Sequence, residues 1–84
     1  MKAEKILAKL LSGSKNIRFG DVLILLESLG FRFSRASSSH HIYVHTDIPD
    51  LVNIQNVQGQ VKPYQIKQIL ALIEKYDLKV GEDR

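Results

Sequence analysis

The sequence contains no cysteine, which excludes disulfide bonds and thiolate metal sites and fits a reducing compartment. Its 84 residues are enough for one domain, residues 1–84. A domain of this size buries only about two-thirds of the surface that its unfolded chain exposes. Its stability must therefore come from aliphatic packing, or from a partner that covers part of the surface.

Long apolar runs are also missing. Within residues 1–11 the longest run is 6–8, far shorter than the hydrophobic region of a signal peptide. No segment approaches the roughly 20 apolar residues that span a bilayer. We therefore expect a soluble, cytoplasmic protein with no membrane partner.

Neither sign of charge dominates the chain. The chain has twelve Lys and Arg residues and nine Asp and Glu residues, which gives a net charge of +3. This mild basic bias permits a nucleic-acid partner without requiring one.

Hydrophobic periodicity predicts an α+β domain with the element order α-α-β-β-β-α. Leu, Ile and Val recur at helical spacing in three segments, residues 2–11, 19–29 and 63–76. Three further segments are typical of strands, residues 31–35, 40–45 and 51–55. Short loops join them, so the sheet should be antiparallel, with the helices on one face and the other face open. The tail, residues 80–84, is expected to fray.

Three histidines lie close together: His40, His41 and His45. A shared metal ion is not expected, because strand residues four apart are about 13 Å apart and neighbours point to opposite faces. The sequence also has no Cys ligand and no helical HxxxH pair. We interpret His41 and His45 as ordinary residues of the open sheet face.

His40 is the candidate for acid–base chemistry on RNA. RNA carries its own nucleophile, the 2′-hydroxyl, so a nuclease can work with one proton acceptor and cations that hold the phosphate. Histidine titrates near neutral pH, and His40 follows a serine-rich turn. From the residues alone, a His40 that merely caps the strand is the simpler alternative. A serine hydrolase is disfavoured, because the sequence has no G-x-S-x-G motif.

The candidates for RNA binding are basic or hydroxyl-bearing residues. They are Lys62, Lys67, Arg32, Arg35 and Ser39. Lys62 precedes the last helix, where the dipole disfavours a cation, but a lysine beside a helix N-terminus suits a phosphate. The alternative is a lysine in a loop that is simply solvated. Such phosphate contacts would give salt-dependent affinity without sequence choice.

Residues 26–35 (LESLGFRFSR) followed by 38–43 (SSHHIY) resemble the HicA (YcfA-like) mRNA interferase toxins. The later run, residues 61–66 (VKPYQI), is similar to one branch of that family. The resemblance implies a fold like the double-stranded-RNA-binding domain and metal-independent cleavage of mRNA without a cofactor. It places the essential histidine at His40 and implies a type II system, in which a HicB-type antitoxin covers the active surface.

Two features depart from the family pattern. Ser38 stands where the family has glycine. If that position needs a positive φ or a close approach of RNA, serine would disturb the geometry and could reduce activity. The N-terminal helix is an addition that would pack on the core, mediate self-association or contact the antitoxin. A non-catalytic RNA-binding module and a protein-interaction domain of the same fold stay open as alternatives.

Overall fold

Three helices and a three-stranded antiparallel sheet make up most of the chain in a computed structural model, which describes residues 2–81. The elements are α1 (Lys2–Leu11), β1 (Ile17–Arg18), α2 (Phe19–Ser28), β2 (Phe31–Ser37), β3 (His40–His45), β4 (Ile48–Gln55), β5 (Gln60–Val61) and α3 (Pro63–Tyr76). The predicted α+β class and three-stranded antiparallel sheet are confirmed. None of these helices is long and apolar enough to cross a membrane.

The sheet has the strand order β2-β3-β4. Both outer strands are longer than predicted, since β2 continues to Ser37 and β4 begins at Ile48. Pro49 lies within β4 because an edge strand tolerates a residue that cannot donate a backbone hydrogen bond. The two loops of the sheet are therefore tight turns.

A second, two-stranded sheet was not predicted. In it β1 pairs antiparallel with β5, with Ile17 opposite Val61 and both side chains buried. Two-residue strands are too short to show alternation, so periodicity could not reveal them. The pair ties the segment before α2 to the segment before α3.

The core lies between the helices and one face of the sheet. Its most buried side chains include Ile17, Val22, Leu25, Leu26, Ile54, Val61 and Ile69. The predicted apolar stripes of α2 and α3 face this core, but α1 differs at its end. Leu11 is 67% exposed, because α1 packs through Ala3, Ile6 and Leu10.

The orientation of β3 corrects the sequence interpretation. Tyr43 is buried, and its face-mates His41 and His45 also point toward the helices. The expectation that the two histidines lie on the open face is therefore wrong. Ile42 and Val44 occupy the open face instead. Alternation defines two faces of a strand, and only the packing partners decide which one is buried.

The predicted fraying of the tail is wrong for residues 80–81, while 82–84 lie outside the described residues. The Gly81 N–H donates to the carbonyl oxygen of Ser28 at 2.8 Å and contacts its hydroxyl at 3.1 Å. Val80 packs against the core beside it. The end of the described chain is thus fastened to the end of α2.

Candidate functional site

His40 begins β3 on the open face of the sheet. It lies between Ser37 of β2 and Gln55 of β4, its partners in the register of the two strand pairs. Its ring Nδ1 is 3.1 Å from Oδ1 of Asn53, the next residue of β4 on the same face. The imidazole is partly buried, so it is held in place and still accessible.

An open depression of about 350 Å³ surrounds this imidazole. It is lined by Arg35, Ser37, Ser38, His40, Ile42 and Asn53. A proton acceptor, a permanent cation and hydroxyl groups therefore meet at one accessible place. This combination suits an extended anionic chain better than a small molecule, which would need an enclosed pocket.

The loop before His40 is a two-residue hairpin connection, Ser38 and Ser39. Ser38 has a positive φ of 56°, whereas Ser39 does not have a positive φ. The loop is fastened to the end of β4, because Ser39 accepts hydrogen bonds from Gln55 Nε2 at 3.3 Å and from the Asn56 N–H at 3.0 Å. Ser38, at the position of the family glycine, therefore has a positive φ in this chain.

Gln65, in the first turn of α3, supports the site from the edge of the sheet. Its Oε1 accepts from the Gln55 N–H at 3.0 Å, and its Nε2 donates to the Asn53 carbonyl at 3.1 Å. Gln65 is 5% exposed, and among residues 2–81 it is the one polar residue that counts as buried. Gln65 and Asn53 are not among the site residues predicted from the sequence. A glutamine four residues before Ile69, on the core side of the helix, was the available signal.

The predicted RNA-binding residues are not all beside His40. Arg35 lines the same depression, and Ser39 lies in the loop that forms its rim. Arg32 pairs with Val44 and donates to the Thr46 hydroxyl at 2.9 Å, about 13 Å along the sheet from His40.

The two predicted lysines of the α3 region lie in other concavities. Lys62 lies immediately before α3 and lines a depression that also contains Lys15 and Gln58. Lys67 lies in a neighbouring depression between α1 and α3, beside Leu11. The two depressions adjoin, because Lys15 and Pro63 line both, and neither is lined by His40 or Arg35.

The other two histidines lie inside and do not reach the depression. His41 packs edge-on against Phe19 at 4.8 Å, and its buried Nδ1 has no partner among residues 2–81. His45 Nε2 lies 3.0 Å from the Leu29 carbonyl oxygen. No three His, Asp or Glu side chains of the described part of the chain are grouped as metal ligands.

Tyr43, on the helix side of β3, has a perturbed ionisation. Burial raises its pKa above the ordinary value of 10.0, and the negative charge of Glu27 raises it further. The phenol therefore belongs to the packing of the domain and is not an acid available to a substrate.

Comparison with known proteins gives one match. The family model described as "HicA toxin of bacterial toxin-antitoxin" matches residues 19–74. The matched segment contains Arg35, His40, Asn53 and Gln65, whereas α1 lies before it. No curated protein and no solved structure matched the chain.

Proposed function

Because the chain belongs to the HicA toxin family of bacterial toxin–antitoxin systems, we propose that it is an endoribonuclease that cleaves mRNA through His40. The observation that carries this proposal is the placement of His40 and Arg35 in one open depression on the sheet. Both residues lie within the segment that the family model matches. An accessible imidazole beside a permanent cation is the minimum that RNA cleavage through the 2′-hydroxyl requires.

The proposed reaction needs no metal ion. His40 accepts the proton of the 2′-hydroxyl, the 2′-oxygen bonds to phosphorus, and the bond from phosphorus to the 5′-oxygen breaks. The leaving oxygen takes a proton from the imidazolium or from water, and a cyclic phosphate or its 3′-phosphate hydrolysis product remains. Arg35 holds the scissile phosphate and offsets the charge that builds on it. DNA lacks the 2′-hydroxyl and is not cleaved.

Longer RNA would be held by the basic residues outside the depression. Lys62, Lys67 and Arg32 are exposed. Lys62 and Lys67 line two adjoining concavities, and Arg32 lies on the sheet at Val44. A single strand that passes the depression can contact them through successive phosphates. Such contacts add affinity and position the strand without selecting a sequence.

The proposed protein partner is a HicB-type antitoxin in the cytoplasm, in a type II system. A net charge of +3 and an open face with Arg32 and Arg35 favour an acidic partner surface. An antitoxin that covers the depression would bury His40 and exclude RNA.

Growth after induced expression tests the function first, with protein abundance measured in every strain. The native chain should arrest growth and cleave mRNA in a buffer containing EDTA, and His40→Ala should do neither. The matched control is His41→Leu, which replaces the neighbouring imidazole, on the opposite face of β3, with an apolar side chain. It should retain toxicity.

Equal growth of the native and His40→Ala strains at equal abundance would refute the enzyme. Salt-dependent RNA binding without cleavage would then identify a non-catalytic RNA-binding module. Absence of both would leave a protein-interaction domain.

A further inference from the structure

We infer that Asn53 is a positioning residue that sets the tautomer of His40, so that the Nε2 lone pair faces the depression. Nothing in the sequence pattern marks Asn53, which is an outward polar residue between two buried ones. The tautomer of His40 does not depend on any activity of the protein, but its consequence for cleavage rests on the proposed function of His40.

The contact between the two side chains determines where the proton lies. Oδ1 of Asn53 is 3.1 Å from Nδ1 of His40, and an amide oxygen can only accept a hydrogen bond. Nδ1 must therefore carry the proton of the neutral ring, which leaves a lone pair on Nε2. Among residues 2–81 no group makes a hydrogen bond to Nε2, so this lone pair is available to a substrate.

Asn53 is itself held by the fold. The side-chain amide of Gln65 donates a hydrogen bond to the backbone carbonyl of Asn53 and accepts one from the N–H of Gln55. The start of β3 is fixed by its register with Ser37 on one side and Gln55 on the other. Two neighbouring strands thus present the imidazole and the amide to each other at a set distance. A catalytic base gains from such fixed orientation because less ordering remains to be done in the transition state.

The charged surroundings of His40 are simple. Besides the titratable His40, the depression is lined by one charged side chain, Arg35 on β2. Strand β4 contributes the neutral Asn53, and β3 contributes the apolar Ile42. Gln55, opposite His40 in the register, is also neutral. A carboxylate introduced at position 53 would therefore be the one negative group at the ring.

His45 provides an internal reference with the opposite tautomer. The backbone N–H of Asp47 donates to its Nδ1 at 3.0 Å, so that nitrogen must be the acceptor. Its Nε2 then carries the proton and donates to the Leu29 carbonyl oxygen at 3.0 Å. The same molecule should therefore show one histidine protonated at Nδ1 and one at Nε2.

The test is nitrogen-15 NMR of the histidine rings in the full chain, made by chemical synthesis because a nuclease that cleaves mRNA would also block its own translation. In the native protein the neutral ring of His40 should be protonated at Nδ1 and that of His45 at Nε2. Asn53→Ala should convert His40 to a tautomer mixture and leave His45 unchanged. Asn53→Asp should keep Nδ1 protonated, since a carboxylate also accepts.

Cleavage kinetics of the same variants give the second readout. Asn53→Ala should lower kcat about tenfold with little change in KM, which corresponds to ~1.4 kcal/mol of transition-state stabilisation. Asn53→Asp should recover most of this activity and move the acid limb of the pH–rate profile to higher pH, because a nearby carboxylate favours imidazolium. The matched control is Asn16→Asp, the same change at an exposed residue outside the three-stranded sheet, which should leave the profile unmoved.

A native His40 protonated at Nε2 would overturn the inference. So would equal losses in Asn53→Ala and Asn53→Asp with an unmoved pH profile, since a merely structural asparagine gives that result. The tautomers are measured without RNA. A chain that shows the expected tautomers but cleaves no RNA would support the role of Asn53 in positioning the ring and refute the proposed function alone.

Discussion

At the scale of single residues, the backbone of Ser38 stores strain next to the candidate site. Its φ of 56° lies in the left-handed region, where a residue with a Cβ atom costs roughly 1–2 kcal/mol. The contacts of Ser39 with Gln55 and Asn56 hold the loop in this conformation. The hairpin before His40 is thus kept in place by its neighbours, although serine does not favour it.

Ser38→Gly should therefore stabilise the protein. Glycine adopts a positive φ without steric cost, so we expect the free energy of unfolding to rise by about 1 kcal/mol. Denaturant-induced unfolding measures this change. The matched control is Ser37→Gly, one residue earlier in β2, which should lose about 0.5–1 kcal/mol because strand glycine is disfavoured. A Ser38→Gly protein no more stable than the native chain would show that the loop is unstrained.

Tyr43 should make the domain sensitive to alkaline pH. Burial, and then the charge of Glu27, raise the pKa of this phenol above 10.0 in the folded state. Above about pH 10 the unfolded chain loses the proton while the folded chain keeps it, so stability falls as pH rises through this range. Urea unfolding between pH 8 and pH 11 should show a steeper loss in the native chain than in Tyr43→Phe. Parallel curves would contradict the assigned cause.

At the scale of elements, α3 closes the outer edge of β4 through one side chain. An exposed edge strand presents unpaired N–H and C=O groups that invite other strands. Gln65 satisfies one of each, at Gln55 and Asn53, while Pro49 offers no N–H further along the same strand. The first turn of the helix thus protects the strand that carries Asn53.

Gln65→Leu should destabilise the domain and expose this edge. The Gln55 N–H and the Asn53 carbonyl would lose their partner, at a cost of about 1–3 kcal/mol. Hydrogen exchange at the Gln55 amide should accelerate, and the unfolding midpoint should fall. Gln68→Leu is the control, because this exposed glutamine lies in the same helix and makes no contact with β4 among the described hydrogen bonds. Equal effects of the two substitutions would rule out the edge bonds as the cause.

At the scale of the whole molecule, the predicted RNA-binding cations occupy two regions, the open face of the sheet and the start of α3. Arg35 lies in the depression and Arg32 further along the sheet, while Lys62 and Lys67 line two concavities that adjoin at Lys15 and Pro63. This distribution suits a strand that wraps the domain and contacts several phosphates. It also predicts that affinity depends on salt more than on RNA sequence.

Lys62→Ala should weaken RNA binding uniformly across sequences. If Lys62 contacts one phosphate of a single strand, its loss should reduce the slope of log affinity against log salt by roughly 0.7. Binding of His40→Ala protein to single-stranded RNA over a range of salt concentrations measures the slope without cleavage. Lys79→Ala is the control, because Lys79 pairs with Asp77 at 3.1 Å after the opposite end of α3. An unchanged slope in Lys62→Ala would remove Lys62 from the RNA surface.

The sequence by itself determined the class of the fold and most of its elements. The bounds of α1, β3 and α3 agree with the helical and strand patterns, because hydrophobic periodicity and Pro63 act within a few residues of the chain. The same local signals placed the serine turn before His40 and identified the family. These features depend on residues that are close together in the sequence, so they can be predicted from the sequence alone.

Only the tertiary structure decided which residues meet at the site. Side chains along β3 alternate between two faces, and the sequence does not show which face is buried. The packing of Tyr43 beneath the helices puts His41 and His45 inside as well. The contact between His40 and Asn53 joins residues 13 positions apart, and the support from Gln65 comes from another element. Such contacts depend on strand register and helix packing, which are set by the lowest free energy of the whole chain and not by any local pattern.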